Sequence, residues 1–113
     1  MSITSTRQNL TPYIPSPEEV IFEMLRLAGL RENETLIDLG CGDGRIPIIA
    51  AKYFGANAVG IEVRDVLVNE AIRRIEEEGL RHKVKILHED MFKARIDYAD
   101  VLTLYQTYEV NLM

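Results

Sequence analysis

The sequence predicts an α/β protein with a doubly wound parallel sheet and helices on both faces. Three observations predict it. Short β-branched and apolar runs alternate with amphipathic helical segments. The first such run ends in a glycine-rich turn, Gly40-Cys41-Gly42-Asp43-Gly44. The resulting order is helix, strand, helix, strand, helix, strand, loop, strand, which calls for parallel strands joined by right-handed crossovers.

The chain has 113 residues, enough for one domain in which every element must serve a single core. Hydrophobic residues make up 47% and charged residues 27%, a balance that favours a folded chain over a disordered one. Residues 1–11 are polar and without period, and read as a mobile arm ahead of a domain spanning 12–113. Ser16 can cap a helix that starts at Pro17, and Glu19 completes a capping box. Ile21, Met24, Leu25 and Ala28 then form one apolar stripe, stopped by Gly29.

Residues 35–39 form the first expected strand. The helix after the glycine turn runs to about Phe54, with Ile46, Ile49, Ala50 and Tyr53 on one face. Pro47 is tolerated there because it lies in the first turn. Residues 58–62 are the second strand. Asp65 can cap the next helix, which turns Val68, Ala71, Ile72 and Ile75 inward. Its outer face offers Glu70/Arg74, Arg73/Glu77 and Arg74/Glu78 pairs, and Gly79 stops it. Residues 84–87 and 100–104 are two further strands, joined by a loop holding Glu89, Asp90, Met91 and Phe92.

Net charge is −5 with the two signs interspersed, so no continuous basic face exists to compete for nucleic-acid phosphates. A mildly acidic surface favours basic partners, though such acidity is common. Cys41 is the only cysteine and cannot form an internal disulfide. With no charged-then-apolar leader and no apolar run of about 18 residues, the expectation is a soluble, cytoplasmic protein without membrane association. His82 and His88 have no Cys or carboxylate at ligand spacing, so both read as surface residues and no metal site is expected.

A glycine loop between a strand and a helix lets backbone approach a ligand closely. Position 45, where a dinucleotide fingerprint wants its third glycine, carries Arg45, which disfavours a pyrophosphate. Asp38, at the end of the first strand, can pair with an ammonium group such as that of the amino-acid moiety of S-adenosylmethionine. Glu62 ends the second strand, where a carboxylate can accept both ribose hydroxyls. Asp90 can meet the exocyclic amine of an adenine, with Met91 or Phe92 as an apolar wall. Each has a structural alternative: a strand-end cap for Asp38, a solvated terminus for Glu62, a turn residue for Asp90. Their order and joint position favour cofactor binding.

The runs Asp38-Leu39-Gly40-Cys41-Gly42-Asp43-Gly44, Gly60-Ile61-Glu62 and Glu89-Asp90-Met91 resemble the first three motifs of the seven-strand, Rossmann-like methyltransferases. The opening Pro12-Tyr13-Ile14-Pro15-Ser16-Pro17-Glu18-Glu19-Val20 and the Gly-Asp-Gly-Arg at 42–45 are similar to the small archaeal protein-lysine methyltransferases and their mitochondrial relatives. The resemblance implies S-adenosylmethionine as cofactor and exposed lysines of other proteins as methyl acceptors. It implies that Asp38, Gly40 and Gly42 surround the methionine end, with Cys41 as a small residue of that loop. Glu62 would hold the ribose, Asp90 with Met91 the adenine, and Tyr13 and Ser16 would close over the methionine carboxylate.

At the fourth motif the chain reads Thr103-Leu104-Tyr105-Gln106-Thr107, without the prolines common in nucleobase-amine methyltransferases. Tyr105 is expected beside the sulfonium as the catalytic residue that positions the amine, the alternative being an aromatic packed at a strand end. Alternative functions are an RNA or small-molecule methyltransferase and a non-catalytic binding partner. Members of the family it resembles continue through three more strands, so the sequence is expected to lack the C-terminal strands, or else to leave an apolar edge that another chain covers.

Overall fold

A computed structural model describes residues 17–104; the expected arm, Tyr13, the Ser16 cap and Tyr105 lie outside the described residues. The elements are α1 (Glu18–Leu27), β1 (Thr35–Leu39), α2 (Arg45–Phe54), β2 (Asn57–Glu62), α3 (Asp65–Glu77), β3 (Val84–His88) and β4 (Val101–Leu104). A 3-10 turn, Met91–Lys93, lies between β3 and β4. The strands form one parallel sheet in the order β3-β2-β1-β4. This is the expected α/β class, and the chain reverses direction across the sheet between β1 and β4.

Sheet register explains where the core sits. Leu36 pairs with Ala58 and Val101, and Ala58 pairs with Val84, so these four side chains share one face. They belong to the same apolar cluster as Ile21 and Leu25 of α1, Ile46, Ile49 and Ala50 of α2, and Ile75 of α3. All three described helices therefore meet that face. Ile37 and Ile61 alternate to the opposite face and are also fully buried. Burial on both sides is what a parallel strand requires, and it accounts for the near-continuous apolar runs in β1 and β2.

Several local expectations shift for identifiable reasons. In α2 every residue from Ile46 to Ala51 is buried, because the helix lies between α1 and the sheet, so an amphipathic stripe understates it. Tyr53 is exposed instead, with its ring edge-on to Phe22 at 6.0 Å. Ile72 is partly exposed rather than inward, and the stripe of α3 is Val68, Ala71 and Ile75. Asp65 is the first residue of α3 and not its cap; Arg64 takes that position, and Asp65 instead meets His88 at 2.9 Å. β4 begins at Val101 because Asp100 clamps the start of β1. Its carboxylate accepts the Thr35 N–H at 2.8 Å while its own N–H donates to the Thr35 carbonyl.

Arg73 pairs with Glu70 and Glu77 on the outer face of α3, but Arg74 does not join them. It turns inward to Asp43 of the glycine loop at 2.9 Å, and Glu78 pairs with Lys52 instead. No helix of the described residues is long and apolar enough to cross a membrane.

Gly60 shows how closely the loop sits on the sheet. A Cβ there would lie 2.6 Å from Cys41 Sγ and 2.9 Å from Ile86 Cδ1, separations that real carbons do not tolerate. Gly60→Ala is accordingly expected to cost about 1–3 kcal/mol of stability by urea denaturation. Adding Cys41→Gly should recover part of that loss; strictly additive costs would show that the two side chains do not compete.

Candidate active site

Three glycines with positive φ make the turn after β1: Gly40 at 74°, Gly42 at 61° and Gly44 at 87°. L side chains rarely adopt these angles, so the loop's path needs glycine at each. The Gly40 and Cys41 N–H groups both donate to the Ile61 carbonyl, at 2.8 and 2.9 Å, which pins the loop to β2. At Gly44 a Cβ would meet that of Ala71 at 3.0 Å, so α3 packs directly against the start of α2.

Glu62 is the centre of the arrangement. Its side chain is buried at the end of β2, where Oε1 accepts the Gly42 N–H at 2.8 Å. Oε2 accepts the N–H groups of Val63 and Arg64 at 3.1 and 3.0 Å, and Arg64 Nε at 2.8 Å. Burial by itself would push this carboxyl up. The bonds from the Arg64 side chain, the Arg64 backbone and Gly42 outweigh it and hold the carboxyl below its ordinary value. Glu62 is ionised and rigid.

Asp38 is the opposite case. It is fully buried, Thr103 Oγ1 donates to its Oδ1 at 2.7 Å, and its Oδ2 has no partner among the described residues. Burial pushes its carboxyl up to about 8; the Thr103 bond opposes that, and the charge on Glu62 adds to it. A buried carboxylate oxygen without a donor is costly unless a cation meets it. Asp38 thus suits an ammonium ligand group.

A cleft of about 330 Å³ opens at the carboxyl ends of the strands, lined by Gly40, Glu62, Arg64, Asp90, Met91 and Phe92 together with Ile61, Val63 and Glu89. Open α/β sheets bind ligands in this position, at the point where the strand order reverses. Asp90 sits on its rim and caps the 3-10 turn, its Oδ1 accepting the Phe92 N–H at 2.9 Å. Phe92 is 86% exposed beside it. The Cys41 side chain packs towards Gly60 and is buried, which pushes its thiol well up. Among the described residues no group of three or more His, Cys, Asp or Glu could hold a metal.

The structure thus brings Gly40, Glu62, Asp90 and Met91 to one cleft, with Gly42 bonded to Glu62 and Asp38 one strand away. Three participants were missed by reading the sequence: Thr103, Arg64 and Arg74. Thr103 meets Asp38 only because β4 pairs with β1 in register. Arg74 reaches Asp43 across 31 residues. Arg64 alone had a local signal, a cation two residues beyond a strand-end carboxylate.

Residues 38–113, which carry the glycine loop and both buried carboxylates, match the ANTKMT methyltransferase domain. The chain belongs to this family. Relatives of this ANTKMT domain include a protein-lysine N-methyltransferase of Saccharolobus islandicus, 41% identical over 103 residues, covering 90% of this chain and 64% of that protein. An ATP synthase lysine N-methyltransferase of Caenorhabditis elegans is 31% identical over 97 residues, covering 80% of this chain and 50% of that one. The chain therefore spans about half to two-thirds of the length of these two relatives.

Among solved structures, an RNA methyltransferase from Salinibacter ruber in complex with S-adenosyl-L-homocysteine superposes with a TM-score of 0.80 at 44% identity, over 82% of this chain and 61% of that one. An S-adenosylmethionine-dependent methyltransferase from Thiobacillus denitrificans, with the same ligand, gives 0.69 at 26% identity, over 88% and 39%. The fold of this ANTKMT domain is that of the Rossmann-like methyltransferases.

Asp38 makes stability depend on pH with a definite sign. The contribution tied to its protonated form is fully present below the unfolded carboxyl value of about 3.9. It is lost as pH rises through about 8. Urea denaturation of the ligand-free protein should show a declining limb between about pH 5 and pH 9 that Asp38→Asn flattens. Equal slopes for the two proteins would contradict the burial effect.

Proposed function

We propose that the chain is the cofactor-binding part of an S-adenosylmethionine-dependent methyltransferase whose acceptor is the lysine ε-amine of other proteins. The carrying observation is the pair of buried carboxylates, Asp38 with an unpartnered oxygen and Glu62 held ionised at the cleft. An amino-acid ammonium suits the first and a ribose diol the second, and one molecule carries both. Two lysine methyltransferases among the relatives support the acceptor.

In this reading Asp38, Gly40 and Gly42 hold the methionine end, with Cys41 shaping the loop beneath. Glu62 holds the ribose, and Asp90 with Met91 holds the adenine. Tyr13 and Ser16 close over the methionine carboxylate, and Tyr105 orients the incoming amine. When bound, the cofactor supplies a methyl group already activated on a sulfonium, so the protein's task is to position and desolvate. A lysine amine, with a reference pKa of about 10.4, has to be admitted in its neutral form. A poorly hydrated channel favours that form without a strong general base.

The Salinibacter structure, described as an RNA methyltransferase, favours RNA as a second acceptor class. The chain's net charge of −5 weighs against it.

The full-length protein, incubated with isotopically labelled cofactor and cell extract, should transfer label to protease-sensitive material, with methyl-lysine identified by mass spectrometry. Label that is lost to nuclease and kept after protease would establish the RNA reading instead. Cofactor binding should also release a proton near pH 7. The ligand ammonium favours ionised Asp38, whose carboxyl otherwise stays protonated up to about 8. Calorimetry in buffers of different ionisation enthalpy measures that proton, and Asp38→Asn should abolish its release.

A further inference from the structure

The Glu62 carboxylate is bonded to saturation. Its two oxygens offer about four lone-pair directions. Oε1 receives the Gly42 N–H at 2.8 Å and a terminal nitrogen of Arg64 at 3.3 Å. Oε2 receives the N–H groups of Val63 and Arg64 and, at 2.8 Å, Arg64 Nε. Two ribose hydroxyls need two acceptor directions on this same group, so something has to yield. The three backbone donors are fixed by the glycine loop and by the chain's path out of β2; none can leave without opening a turn. The guanidinium differs, being on a flexible stem, lining the same cleft and one-third exposed, with a side-chain relative accessibility of 34%.

We infer that Arg64 is a built-in competitor for the ribose: its guanidinium and the two hydroxyls occupy Glu62 alternately, and nucleoside binding displaces the Arg64 side chain. The inference rests on the cofactor reading above and adds to it a residue that sets affinity. The arrangement has a physical purpose. A buried carboxylate left with backbone donors alone keeps an uncompensated charge, and Arg64 neutralises it whenever no nucleoside is bound. The forked guanidinium matches a carboxylate better than an ammonium does, so a lysine at this position would compete less well. Release therefore leaves Glu62 ionised throughout, because the backbone bonds that hold its carboxyl low persist.

The test uses titration calorimetry on the full-length protein with S-adenosylhomocysteine and with its 2′,3′-dideoxy counterpart. Arg64→Met should bind S-adenosylhomocysteine about tenfold more tightly than the unaltered protein, since no charge-assisted bond has to break. Arg64→Lys should fall between them. The dideoxy ligand makes no demand on Glu62, so its affinity should be the same for all three proteins. An unchanged or weaker affinity of Arg64→Met for S-adenosylhomocysteine would overturn the inference, as would an equal gain for both ligands. If the folded, unaltered protein binds neither ligand, the cofactor reading itself fails, and that outcome is distinct from a protein that binds but does not respond to Arg64.

Discussion

The bond from the Gly42 N–H to the Glu62 carboxylate ties together everything that makes this site possible. It joins the glycine loop after β1 to the end of β2, beside the two bonds from Gly40 and Cys41 to the Ile61 carbonyl. The loop can follow this course only with glycines at positive φ and with Gly60 beneath Cys41. Backbone geometry, sheet packing and the placement of charge are thus one constraint. Arg74 extends it by fastening Asp43 to α3 through a part-buried ion pair.

The two buried acids divide the work by environment rather than by residue type. Glu62 is surrounded by donors and stays charged, whereas Asp38 has a single hydroxyl donor among the described residues and is driven towards its protonated form. An incompletely satisfied buried carboxylate weakens a fold. A site that binds a cation holds such a group ready, and the partner offsets the cost on arrival. Stability is conceded at one residue for recognition, while the apolar cluster of α1, α2 and the sheet keeps the domain folded.

Much of the fold was legible in the sequence. β1 was read to the residue and β2 and β3 to within one, because each is a short apolar run bounded by glycine or polar residues. The helix stops at Gly29, Gly55 and Gly79 were equally plain, all three having positive φ. Face assignments within helices were less secure. Periodicity assumes one wet side, and α2 has almost none, while Tyr53 and Ile72 lie at the edges of their stripes and face outward. The site's acids were legible because they fall at strand ends, where chain position alone brings them near the glycine loop.

What the sequence by itself determined was the order of elements, the glycine turn and the carboxylates that follow β1, β2 and β3. These depend on local periodicity and on residue types that only certain backbone angles admit. Tertiary structure alone decided that Thr103 meets Asp38, that Arg74 turns from its helix neighbours to Asp43, that the Cys41 side chain lies against Gly60, and that Arg64 closes on Glu62. Strand register and the packing of α3 over the loop bring together residues far apart in the chain. No pattern within a single element encodes those distances.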